Sequence, residues 1–122
     1  MDGNEPVAAA GECLAKGVAL FNRGEFFEAH EAMEEAMDLA GDNGDWEFFL
    51  GLLRAAVANH KLIQGAVSGA IAHLQAALRY LAPYPDRHQG LKLRELRYAL
   101  SVQLDRLMSG SEPSRAPQIE LA

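Results

Sequence analysis

GEFFEAHEAMEEAM, residues 24–37, is the stretch on which the fold turns. At about 100° per residue, Phe26, Ala29, Met33, Ala36, Met37 and Ala40 fall on one face of a helix, and no period-two alternation competes with that spacing. His30 stands at the edge of this face beside Met37. Glu34 follows it by one turn on the same side, and Phe27 precedes it by one turn. Glu28 and Glu35 point the opposite way. The six carboxylates Glu25, Glu28, Glu31, Glu34, Glu35 and Asp38 therefore divide into a solvated outer group and a group flanking the core.

Outward from this helix the same three- and four-residue spacing recurs, and β-branched residues are sparse. Five helices are predicted. The first covers Pro6 to Arg23, with Asn4 as cap and Pro6 in the first turn, where a missing N–H costs nothing. Gly24 stops it, and the second runs from Phe26 to Ala40, ending in the turn-rich Gly41-Asp42-Asn43-Gly44. The third starts at Asp45, a good N-cap, and continues to Gln64. Gly65 ends it, and the fourth spans Val67 to Leu81, with Ser68 as an alternative cap. Pro83 and Pro85 enforce a break, and the fifth spans Leu91 to Met108 on a stripe of Leu93, Leu96, Leu100, Leu104 and Leu107.

The expected fold class is all-α, a compact bundle of about five helices built on two helical hairpins. Residues 1–108 are expected to form one domain, and 109–122, which contain Ser, Pro and Gly and little to bury, a mobile C-terminal tail. The hairpins look related: Gly24, Ala29, Met33, Ala36 and Met37 match Gly65, Ala70, Leu74, Ala77 and Leu78 at a constant offset of 41. Gly17, Leu20, Gly24, Phe26, Ala29 and Ala36 also fit the tetratricopeptide spacing of small and large residues. That likeness is weak, because the offset differs from the roughly 34 residues of that repeat and only two units are present.

Composition narrows the function classes. The 122 residues suffice for one core, and the 49% hydrophobic and 23% charged content is that of an ordinary globular chain. A net charge of −6, without any basic run, argues against nucleic acid and against anionic membrane surfaces as partners. The lone Cys13 cannot form an intrachain disulfide and has no neighbouring His to activate it. The polar start MDGNEP lacks a signal-peptide pattern, and no apolar run approaches the roughly eighteen residues of a membrane span. The expected location is the cytoplasm.

The candidate chemistry is carried by histidine and glutamate. His30 with Glu34 reads as a buried polar pair, the carboxylate fixing one imidazole tautomer, or as a ligand or catalytic pair. The third helix is apolar almost all round, apart from a stripe of Glu47, Arg54 and Lys61 that is expected to face solvent. Its His60 shares an arc with Trp46, Phe49, Leu53 and Gln64, and two interior histidines on successive helices can face each other. The ligand-binding candidates are therefore His30, Glu34, His60, Arg54 and Phe27. The catalytic candidates are His30, Glu34 and Glu31. No cofactor is expected. A divalent metal held by His30, Glu34 and His60 is the alternative, since ligands at i and i+4 share a helix face. The string HEAME at 30–34 departs from the zinc-protease HExxH by having Glu34 in place of the second histidine, and Glu-x-x-His is absent. His73 and His88 read as surface or loop residues. GAVSGA, residues 65–70, follows a helix and not a strand, so it reads as a turn.

The runs LFNRGEFFEAHEAMEEAM and WEFFLGLLRAAVANHKLIQGAVSGAIAHLQAALRYLAPY resemble the family catalogued as domain of unknown function 309 over roughly residues 14–92. The resemblance rests on the Phe-Glu-Ala-His-Glu core, a Phe-Leu-Gly-Leu helix with a late histidine, and a glycine turn into the next helix. It implies an all-helical bundle and brings no biochemical activity with it. The recurrent polar residues that it implies fall on Glu28, His30, Glu31, Glu34 and His60. Three positions depart from it: Met37 stands where the family usually has Trp, and Leu50 and Arg54 where it usually has Gln.

The function expected from these readings is a small helical binding or interaction module with a partly buried His/Glu cluster, its partner a small molecule or a protein. One alternative is a hydrolase-like, metal-dependent enzyme using His30 and Glu34. Another is a tetratricopeptide-like peptide scaffold with a groove between the first and third helices. A homodimer is also expected, from the apolar girth of the third helix and from Phe48 and Phe49.

Overall fold

Two turns of identical design build most of the molecule. At the first, Gly24 adopts φ +82°, its N–H donates to the Phe21 carbonyl, and the Glu25 N–H donates to Leu20 across five residues. At the second, Gly65 adopts φ +76°, its N–H donates to Leu62, and the Ala66 N–H donates to Lys61. This pairing satisfies helix-end carbonyls through a left-handed residue that only glycine adopts without strain. Each turn reverses the chain between two helices. The computed structural model describes residues 5–41, 45–112 and 115–122.

The elements in chain order are α1 (Glu5–Asn22), α2 (Phe26–Ala40), α3 (Trp46–Ile63), α4 (Val67–Leu81), β1 (Arg87–His88), β2 (Leu91–Lys92) and α5 (Leu93–Met108). Each of the first four helices packs on the next, and α5 packs on α4. The predicted bounds of α2 and α4 coincide with those observed, and the other helices shift by one or two residues at their ends. Asn4 and residues 42–44 of the expected turn lie outside the described residues. Asp45 stands at the start of α3 without capping it, because its carboxylate is turned to His88 and Gln89.

Small residues set how closely the helices approach. A Cβ on Gly17 would lie 2.8 Å from Met33 Cε, so α1 and α2 touch there backbone to side chain. A Cβ on Gly51 would lie 2.7 Å from Leu81 Cγ, marking the same intimacy between α3 and α4. The core between the layers holds Phe21, Met33, Phe48, Phe49, Leu52 and Leu74, all fully buried. Phe48 and Phe49 are thus covered within one chain, which removes the ground on which they suggested a dimer. α5 contributes Leu93, Leu96, Leu100 and Leu107 to the same core. It is also tied to α3 by a buried amide pair in which Gln103 Nε2 donates to Asn59 Oδ1 at 2.7 Å.

Two expectations need correction. Residues 91–92 do not open α5. They pair with residues 87–88 as a β-hairpin whose two-residue turn, Gln89-Gly90, has φ of +51° and +75°. Positive φ at both positions matches the twist of the flanking strands. The end of the chain is also not a free tail. Ile119 is 2% exposed, the Lys92 N–H donates to the Glu120 carbonyl at 2.9 Å, and Leu121 bridges to Leu91. Asn22 acts as a surrogate strand: the Ile119 N–H donates to its Oδ1 at 2.7 Å, and its Nδ2 donates to the Ile119 carbonyl at 2.9 Å. The open edge of β2 and the buried Ile119 supply what the composition of 109–122 concealed.

Candidate functional site

The start of α2 buries one phenylalanine and presents the next. Phe26 is tucked under Phe21 with ring centroids 5.1 Å apart, and the helical rotation then carries Phe27 outward to 48% exposure. His30 follows one turn later. Its Nδ1 lies 3.1 Å from the Phe27 carbonyl, and a carbonyl only accepts, so Nδ1 carries the proton. From α3, His60 reaches the same aromatic ring. The Phe27 centroid is 5.5 Å from that of His30 and 5.7 Å from that of His60.

These rings form one wall of a cleft of about 230 Å³ between α2 and α3. Phe26, Phe27 and His30 line it from α2, Val57, His60 and Lys61 from α3, and Gln64 from the end of α3. His30 and His60 thus line one cleft, and each lies against Phe27. Glu34 belongs only to its margin: its Oε2 is 3.5 Å from His30 Nε2, and its side chain is 55% exposed. With Nδ1 already protonated, Nε2 attracts that carboxylate only as part of the imidazolium form.

The remaining candidates lie elsewhere. Glu31 is exposed and borders a separate hollow with Lys16, Leu20, Glu28, Ala32 and Glu35. Arg54 does not line the cleft, and its Nη1 meets His73 Nδ1 at 3.0 Å across α3 and α4. His73 is thus half-buried and partnered, contrary to its reading as a surface residue. His88 is likewise packed, with its ring 4.8 Å from Phe48 and its Nε2 3.1 Å from Asp45. Lys61, expected on a solvated stripe, instead joins the cleft. Its position seven residues after Arg54 and next to His60 was the available signal.

Among the described residues no three His, Cys, Asp or Glu side chains gather closely enough to hold a metal ion. Burial, followed by the nearby Glu35 carboxylate, pushes the Cys13 thiol above its ordinary pKa, which disfavours the nucleophilic thiolate. Among the described residues no helix is long and apolar enough to cross a membrane.

Residues 14–73 match the family described as Domain of unknown function (DUF309). An uncharacterized protein of Aquifex aeolicus (strain VF5) is 30% identical over 107 residues, which cover 88% of this chain and 32% of that protein. The chain thus spans about a third of the length of the curated relative it matches.

Proposed function

We propose, on the premise that residues 14–73 are a DUF309 domain, that the chain is a ligand-binding module whose site is the α2–α3 cleft. The family carries no assigned chemistry, so the reading rests on the geometry of the site. One observation carries it. An exposed phenylalanine lies against two imidazoles on the rim of a concave surface, where an apolar ring gains nothing from contact with water.

The cleft selects by size and by polarity. Its roughly 230 Å³ is smaller than the ~300–1,000 Å³ pockets that take drug-sized ligands. The ligand is accordingly a small molecule with one planar or apolar group to lie on Phe27. Lys61 offers a positive charge to an acidic substituent, and His60 and Gln64 offer hydrogen bonds that orient it. Binding is favoured over hydrolysis by the position of the acids: Glu34 lies in water at the margin, and Glu31 lines another hollow.

The test is NMR titration with small aromatic carboxylates. The His30 and His60 ring signals are expected to shift together and saturably. F27A is expected to weaken binding by roughly 1 kcal/mol, the scale of one lost aromatic contact. Shifts that avoid both rings, or an F27A variant that binds as well as the native chain, would overturn the assignment.

A further inference from the structure

The seam between α3 and α4 gathers positive charge that this acidic chain leaves unneutralised. Arg54 and Lys61 stand seven residues apart on α3, and His73 meets Arg54 from α4. A guanidinium has no lone pair to offer, so Arg54 Nη1–H donates to His73 Nδ1, and the neutral imidazole keeps its proton on Nε2. The Lys61 stem runs along α4 one turn before His73: a Cβ on Gly69 would meet Lys61 Cδ at 3.5 Å. His73 has a pKa below its ordinary value through burial first, then Arg54, then Lys61, so the ring feels both cations.

Among the described residues no carboxylate lies within 4.0 Å of the charged atoms of Arg54, Lys61 or His73. Shortage of acid is not the reason, since the chain has 17 acidic residues against 11 basic ones. Arg54 Nε is closed to solvent and has no hydrogen-bond partner among the described residues. Buried donors are almost always bonded, so an orphaned one asks for an explanation. With Nη1 engaged by His73, the edge formed by Nε and Nη2 is the one left over. That edge is a fork matching two oxygens of a carboxylate or phosphate.

We propose that Arg54, Lys61 and His73 form an oxyanion-binding site at the α3–α4 seam, taking the phosphate or carboxylate group of a small ligand. A small turn of the Arg54 stem presents the Nε/Nη2 edge to the anion. Lys61 adds a second charge, and His73 Nε2–H adds a neutral donor. The site shares only Lys61 with the α2–α3 cleft and does not depend on a ligand there.

The experiment uses the full chain, at fixed pH and ionic strength, with inorganic phosphate and acetate as probes and sodium chloride as reference. His73 ring resonances and titration calorimetry are the readouts. Phosphate or acetate is expected to shift His73 saturably, and the tighter of the two identifies the group recognised. R54Q and H73Q are expected to weaken that binding by at least about tenfold, the loss of a charge-assisted bond. R94Q, which removes the same charge from an exposed position on α5, is expected to leave it unchanged. The site is refuted if neither anion moves His73 more than chloride does, or if R54Q binds as the native chain does. Should R54Q lose its helical circular dichroism, K61Q takes its place with the same two outcomes. Failure of F27A to affect aromatic carboxylates would sink the cleft and leave this site standing.

Discussion

At the scale of single residues, His73 shows how position overrules sequence. Read alone it is a polar residue on an amphipathic helix, yet across the α3–α4 seam it accepts a hydrogen bond from Arg54. Its lowered pKa has a consequence for folding whose sign is fixed. The folded state disfavours the protonated ring, so the unfolded chain takes up the proton first as the pH falls. The stability linked to His73 is complete above its ordinary value of 6.5 and declines as the pH drops from there toward the lower folded-state value. H73Q is expected to flatten the dependence of melting temperature on pH in that window, measured from about pH 7 to pH 5. Equal pH slopes for the two proteins would show that burial and the two cations leave His73 unperturbed. Phe27 is the complementary case: its exposure follows from its place beside the inward-facing Phe26, but its two imidazole neighbours do not.

At the scale of elements, the helix pairs differ in how they tolerate a methyl group. Alanine is favoured over glycine within a helix by ~1 kcal/mol, so any loss must come from packing. At Gly51 a Cβ would press on Leu81 Cγ at 2.7 Å and Cδ2 at 2.8 Å, and Leu81 is fully buried with nowhere to yield. At Gly17 the obstacle is the end of Met33, Cε at 2.8 Å and Sδ at 2.9 Å, a chain that can change rotamer. G51A is expected to lose about 1–3 kcal/mol by overpacking, and G17A to stay near neutral. Urea unfolding of both variants measures the difference, and equal costs would mean that Leu81 is as free to move as Met33.

At the scale of the whole molecule, the C-terminal segment closes the fold. Ile119 is buried, its backbone is clasped on one side by the Asn22 amide, and the residues after it extend the β-hairpin. The segment therefore ties the end of α1 to the start of α5. I119A is expected to cost about 2–5 kcal/mol, the usual range for truncating a buried isoleucine. Removing residues 115–122 is expected to lower the urea midpoint as well, while helical circular dichroism persists. A truncated chain as stable as the full one would show that the contacts of the segment merely balance the entropy of ordering it.

Local rules were enough for the five helices, the glycine turns at 24 and 65 and the kinship of the two hairpins. Periodicity and left-handed glycines act over a few residues and leave their mark in the chain itself. That His30 and His60 line one cleft was half legible, because each lay at the edge of a core face, whereas the aromatic ring that both touch was not. Arg54 leaving that cluster for His73, Lys61 joining the cleft and the docked terminus all depend on partners at least 19 positions distant, whereas the Gln89-Gly90 hairpin is local and was hidden only by the absence of the usual turn residues. Hydrogen bonds and charges of that kind are chosen by which helix lies opposite which. The packing of α3 between α2 and α4 made that choice, and no spacing along the chain encodes it.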